Sequence, residues 1–119
     1  MDATRVDDGG YYLVKYVGLR TLPKIKALLR EVEENAKKTG VYTYLFDLRE
    51  SEEGFTVSDK YALGVHLAAL FGNTYRVAVV LRKEHVTGFV ENVSTNRGAT
   101  ALTITDDETK ARAWMKSGV

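Results

Sequence analysis

The stretch Val41–Arg49 reads Val-Tyr-Thr-Tyr-Leu-Phe-Asp-Leu-Arg and decides the fold. Its apolar run predicts a buried β-strand that breaks off at Asp47 and passes through a charged loop into an apolar helix. A strand that ends in this way places a carboxylate at the carboxyl edge of a parallel sheet. Because α/β proteins carry their functional loops at that edge, Asp47 marks where a site is expected.

Strands and helices alternate on both sides of this stretch. The turn signal Asp7-Asp8-Gly9-Gly10 predicts an N-terminal hairpin between Thr4–Val6 and Tyr11–Val17. Further strands are predicted at Tyr75–Leu81 and Thr100–Thr105. The first helix is predicted between its cap Thr21 and Gly40, and two more helices at about Ser58–Phe71 and about Glu84–Asn96. A fourth helix is predicted after a capping box formed by Thr105 and Glu108. Four rounds of strand and helix imply parallel strands joined by right-handed crossovers.

Polar residues interrupt these otherwise apolar strands, namely Lys15, Thr43, Arg76 and Thr103. This alternation indicates that helices cover mainly one face of the sheet while the other face is partly open. We therefore predict a single α/β domain over residues 1–119. It would be a four-turn β-α superhelix, with a mostly parallel sheet, an N-terminal antiparallel hairpin strand and helices mainly on one face.

Composition excludes several classes of site and partner. The chain has no Cys, and its two His are far apart, so we expect no disulfide, metal or cofactor. Its 17 basic and 16 acidic side chains lack the basic excess of a nucleic-acid binder. The N-terminus shows no secretory signal, and the longest apolar stretch, Tyr61–Phe71, is too short to span a bilayer. We expect a soluble cytoplasmic protein.

Helix N-termini and strand ends should meet at one edge of the sheet, where Arg20, Arg49, Arg82 and His85 would favour an anion. The alternative is that these are solvated loop charges. No strained nucleophile turn and no glycine-rich phosphate loop occur in the sequence. We expect no catalysis; an enzyme would have to use Asp47 or His85 as a general base.

The second helix carries more apolar side chains than one sheet contact can bury. One side presents Leu63, Leu67, Leu70 and Phe71, and another presents Tyr61, Val65 and Ala68. A helix that is apolar nearly all round is either deeply buried or has a second partner. The first four residues therefore predict a hydrophobic surface or cleft for a small apolar ligand, a lipid or membrane surface, or a dimer partner. Alternatively, the neighbouring helices cover both of its flanks.

Several motifs occur in an order and spacing that resembles the STAS domain, and most closely its SpoIIAA-like branch, which is similar to anti-sigma-factor antagonists of bacteria. They are Gly18-Leu19-Arg20-Thr21, Phe46-Asp47-Leu48-Arg49, Asp59-Lys60-Tyr61-Ala62-Leu63-Gly64, Arg76-Val77-Ala78-Val79-Val80, Asn96-Arg97-Gly98 and the acidic-to-aromatic run Asp106–Trp114. The resemblance implies a non-enzymatic regulatory module. The SpoIIAA-like branch also resembles lipid-binding domains of the Sec14 type, which implies a hydrophobic ligand or membrane contact.

The resemblance also implies a second mode of action. Antagonists of this type are phosphorylated on a Ser in an Asp-Ser-Ser-Gly-like turn that opens the second helix. The matching stretch here, Phe55–Asp59, lacks the glycine and the tandem Ser, and leaves Ser58 and Thr56 as candidate phosphosites. The expected function is thus an apolar-ligand, lipid or membrane-binding module, and the alternative is a phospho-switchable antagonist that acts by protein–protein interaction.

Overall fold

Strands and helices alternate through the part of the chain that the computed structural model describes, residues 2–6 and 10–117. The strands are β1 (Asp2–Val6), β2 (Tyr11–Lys15), β3 (Gly18–Arg20), β4 (Thr43–Asp47), β5 (Ser51–Glu53), β6 (Arg76–Val80) and β7 (Leu102–Thr105). The helices are α1 (Leu22–Thr39), α2 (Val57–Phe71), α3 (Phe89–Asn96) and α4 (Glu108–Ser117), with a short 3-10 helix at Lys83–His85. The predicted α/β class is confirmed.

The main sheet has five strands in the order β1-β2-β4-β6-β7. β1 pairs antiparallel with β2, and the remaining neighbours pair in parallel. The connections from β2 to β4, from β4 to β6 and from β6 to β7 all move in the same direction across the sheet. Because such crossovers are right-handed, α1, α2 and α3 lie on one face. Buried residues of α1 and α2 share one apolar cluster with that face, whereas those of α4 form a second cluster with the other face. β3 and β5 form a separate two-stranded parallel sheet.

The polar strand residues identified in the sequence all occupy the face that α4 covers. Side chains alternate along a strand, and the register aligns Leu13, Leu45, Ala78 and Thr103 on that face. Ala111 and Met115 of α4 pack there against buried Leu45 and Ala78. The polar side chains have partners on this face: the guanidinium of Arg76 lies over the ring of Trp114 on α4 and donates to the Trp114 carbonyl at 2.6 Å, and the Thr43 hydroxyl donates to the Gly10 carbonyl at 2.8 Å.

Local signals account for the bounds of α1. The Thr21 side chain accepts a hydrogen bond from the Lys24 backbone N–H at 3.4 Å and caps the N-terminus. Gly40 ends the helix in the left-handed conformation, with φ 73°. Ile25, Leu28, Leu29, Val32 and Ala36 are its buried residues, at the spacing of one helical face. The prediction for this helix is confirmed.

Two local predictions were wrong. The third helix was expected from about Glu84, but α3 begins at Phe89, because Gly88 with φ 80° separates it from the single 3-10 turn before it. The final helix is capped by Asp107, whose side chain accepts the Lys110 N–H at 3.1 Å, rather than by a box of Thr105 and Glu108. The hairpin strands pair as predicted; most of the predicted turn, residues 7–9, lies outside the described residues.

Candidate functional site

A cavity lies between the sheet and the three helices on its first face. The space open to the centres of water-sized molecules is about 100 Å³, and the total atom-free volume, including the part open to solvent, is about 850 Å³. Its apolar walls are Phe46, Leu48, Val77, Val79, Leu81, Leu102 and Ile104 around the sheet, Ile25, Leu28 and Leu29 on α1, Leu63, Leu67 and Phe71 on α2, and Phe55 and Val90. Native cores contain few voids larger than a water molecule. An apolar cavity of roughly 150 Å³ in another protein stays dry and binds benzene, so this space suits a small apolar ligand.

The α2 residues predicted to form a hydrophobic surface or cleft lie inside the subunit. Leu63, Leu67 and Phe71 are 7%, 7% and 3% exposed and line the cavity. Leu70 is half-buried and packs beside the same core without lining the cavity. Leu63, Leu67 and Phe71 therefore supply the wall of a cleft, and Leu70 does not.

The close approach of α3 to α2 depends on Gly64. A Cβ atom at this position would lie 2.6 Å from Val93 Cγ1 and 2.7 Å from Val93 Cβ. Carbon atoms in contact are normally about 3.5–4.0 Å apart. Only a glycine allows α3 to sit this near, and α3 contributes Val90 and Glu91 to the cavity wall.

The polar end of the cavity is built around Arg20, which is 2% exposed. Its Nη1 donates to Ser51 Oγ and to the Leu48 carbonyl at 3.5 Å, and its Nη2 lies 3.4 Å from His85 Nδ1. Pairing of β3 with β5 positions Arg20 beside Ser51. Burial lowers the pKa of Arg20, and the charge of Glu53 opposes this effect.

Acidic residues around this end are paired with other cations. Glu53 forms an ion pair with Lys60 at 3.2 Å, and both line the cavity. Glu52 pairs with Arg82 at 2.7 Å. Glu91 lies farther along the wall, where burial raises the pKa of its carboxyl group and a hydrogen bond from the Ile104 backbone opposes the rise.

The predicted anion edge is divided by the structure. Arg20 and His85 are in contact, and the charge of Arg82 is close enough to contribute to the lowered pKa of Arg20. Arg49 is engaged elsewhere: its Nε and Nη2 donate to the two Asp47 carboxylate oxygens at 2.9 Å each, and Nη2 also contacts Glu108 of α4. The hydrogen bonds from Arg49 lower the pKa of Asp47.

The two candidate phosphosites lie at the start of α2, and both are exposed. Thr56 is the N-cap: its Oγ1 accepts the Asp59 N–H at 3.0 Å, and the Asp59 carboxylate accepts the Thr56 N–H at 2.9 Å. Ser58 lies in the first turn. The Thr56 hydroxyl thus has a structural role, whereas Ser58 does not cap the helix.

Sequence reasoning named Arg20 and His85 but missed Ser51, Lys60, Glu53 and Glu91. A charged residue facing a cavity carries the same sequence signal as one facing solvent.

Within residues 2–6 and 10–117, no group of three or more metal-ligating side chains could hold a metal ion, and no helix is long and apolar enough to cross a membrane. No family model, curated protein or solved structure matches the chain.

Proposed function

We propose that this protein is a non-enzymatic binding module that takes a small apolar ligand into the cavity beneath α1, α2 and α3. The observation that supports this proposal is the void itself, which is lined by leucine, isoleucine, valine and phenylalanine side chains where a core is normally filled. Burying a methylene group contributes about 0.8 kcal/mol to binding, so a ligand chain of about six methylenes gains roughly 5 kcal/mol of binding free energy. The cost of immobilising the ligand is subtracted from this gain.

We also propose that the chain is a STAS domain of the SpoIIAA-like branch. The sequential order β2-β4-β6-β7, with one helix after each of the first three strands, is what a β-α superhelix requires. The cavity agrees with the apolar ligand that this resemblance implies.

Binding of octan-1-ol tests the proposed function. We expect saturable binding by isothermal titration calorimetry, with NMR shift changes in the methyl groups of Leu63 and Leu67. Leu67→Phe places a larger side chain in the cavity wall and should weaken binding about tenfold or more, because filling the space removes about 1.4 kcal/mol or more of ligand burial. Leu70→Phe is the matched control on the same helix, outside the cavity, and should bind as the wild type does.

Absence of saturable binding by the folded wild-type protein would contradict the proposal. Equal loss of affinity in both variants would also contradict it, since the cavity would then not be the binding site. Urea unfolding of each variant establishes that the binding measurements compare folded proteins.

A further inference from the structure

A buried guanidinium with no carboxylate partner lies in the wall of this otherwise apolar cavity. The described residues place no carboxylate oxygen within 4.0 Å of Arg20, whose contacts go to a carbonyl, a hydroxyl and an imidazole. The nearest acids that favour its charge, Glu53 and Glu52, are already paired with Lys60 and Arg82. The positive charge of Arg20 therefore lacks a counter-ion of its own.

This charge cannot be removed by losing a proton. Arginine stays protonated in proteins even when burial lowers its pKa, and buried charges are normally paired. Glu91, the other cavity-lining acid, differs in this respect because a carboxyl group, unlike a guanidinium, has an accessible neutral form. Of the charged side chains described in the wall, Arg20 is the one whose charge is both obligatory and unpaired.

His85 extends this polar end. Its Nδ1 lies 3.4 Å from Nη2 of Arg20, and its ring also lines the cavity. The guanidinium of Arg20 and the imidazole of His85 thus lie together next to apolar walls.

We infer that the ligand is an anionic amphiphile, a short aliphatic carboxylate whose head binds Arg20 and whose chain occupies the apolar part of the cavity. The inference rests on the proposed function and adds the chemistry of the head group. The carboxylate supplies the missing counter-ion and accepts hydrogen bonds from the guanidinium, a geometry that arginine favours. The space of about 100 Å³ is smaller than the cavity of roughly 150 Å³ that holds benzene in another protein, so only a short chain fits, with part of it in the open part of the space.

Three probes with the same chain and different heads test this inference: octanoate, octan-1-ol and octylammonium. Affinities are measured by isothermal titration calorimetry at neutral pH and below the concentration at which the probes aggregate. Octanoate should bind the wild-type protein about tenfold or more tightly than octan-1-ol, which is the gain from a charge-assisted hydrogen bond. Octylammonium should bind most weakly, because its charge repels Arg20.

Arg20→Gln should remove the preference for octanoate, so that the ratio of the octanoate affinity to the octan-1-ol affinity falls from about tenfold or more to about one, because the charge that distinguishes the two heads is lost. Arg49→Gln is the matched control: it removes the same charge at a site occupied by Asp47 and Glu108, and should keep the wild-type preference. Should Arg20→Gln fail to fold, the ranking of the three heads on the wild-type protein decides the question alone.

Equal affinities for octanoate and octan-1-ol would overturn the head-group inference and leave the apolar binding function standing. Tightest binding of octylammonium would overturn it as well, and would assign the polar contact to Glu91. Failure of all three probes to bind would instead remove the proposed function on which the inference rests.

Discussion

Substitution of Gly64 by alanine should separate α2 from α3. Glycine in a helix interior is normally a weakness, and replacing it with alanine usually stabilises the helix by about 1 kcal/mol. Here the added methyl group would meet Val93 Cβ at 2.7 Å and Cγ1 at 2.6 Å, about 1 Å closer than carbon atoms pack. The Cβ atom is fixed to the backbone, so rotation of the Val93 side chain cannot relieve the clash.

The two effects have opposite signs and similar sizes. Overpacking typically costs about 1–3 kcal/mol, so the expected net change in the free energy of unfolding is a loss of about 0–2 kcal/mol rather than a gain of about 1 kcal/mol. The methyl group loses both of these close contacts only when position 93 has no Cβ atom, so the partner substitution is Val93→Gly. The double variant should therefore show a coupling energy of about 1 kcal/mol or more in favour of the pair.

Urea unfolding of the wild type, both single variants and the double variant gives this cycle. Ala69→Gly, at an exposed position on the same helix, calibrates the intrinsic difference between glycine and alanine. If Gly64→Ala is stabilising by the amount that this control gives, or if the two substitutions are additive, the close helix approach described above is wrong. Displacement of α3 should also change the affinity for octan-1-ol, because α3 supplies part of the cavity wall.

Two further predictions concern the ends of β4 and α2. Asp47→Asn should destabilise the protein at neutral pH, because Arg49 lowers the pKa of Asp47 in the folded state. The wild type should exceed the variant in free energy of unfolding by the full amount above about pH 4, the pKa of an aspartate in an unfolded chain. This difference should shrink as the pH falls through the lower pKa that Asp47 has in the folded protein. A difference that does not change with pH in urea titrations would contradict this. Thr56→Ala should cost about 1 kcal/mol by loss of the N-cap bond, whereas Ser58→Ala should be nearly neutral in thermal and urea unfolding; equal costs would show that Thr56 does not cap α2.

Elements with short-range signals could be predicted from the sequence. α1 has its cap at Thr21, its stop at Gly40 and a regular apolar face between them, so all the information lies within one segment. The prediction of where α3 begins failed because Glu84–Asn96 has a helical apolar pattern throughout. That pattern does not show that Gly88 adopts a positive φ, which separates the 3-10 turn from α3. The separate β3–β5 pair was missed because three-residue strands carry no period to detect.

The candidate site could be predicted only in part. The excess of apolar side chains on α2 was visible, but whether they face solvent, a neighbouring helix or a void depends on how closely α1 and α3 approach. The polar end is a long-range feature: Arg20 and Ser51 are 31 positions apart, and Arg20 and His85 are 65 apart. No spacing rule links such residues, since their meeting depends on the order of the strands in the sheet.

The position of α4 has a consequence for synthesis on the ribosome. Because β1, β2, β4, β6 and β7 lie in the sheet in the order in which they are made, each strand can pair as it emerges with the one made before it. Helices α1, α2 and α3 cover one face along the way, but Leu45, Ala78 and Val80 on the other face await Ala111 and Met115. A nascent chain arrested before residue 108 would expose that apolar patch, and exposed apolar patches favour aggregation and chaperone binding. Synthesis of α4 covers the patch and removes this liability.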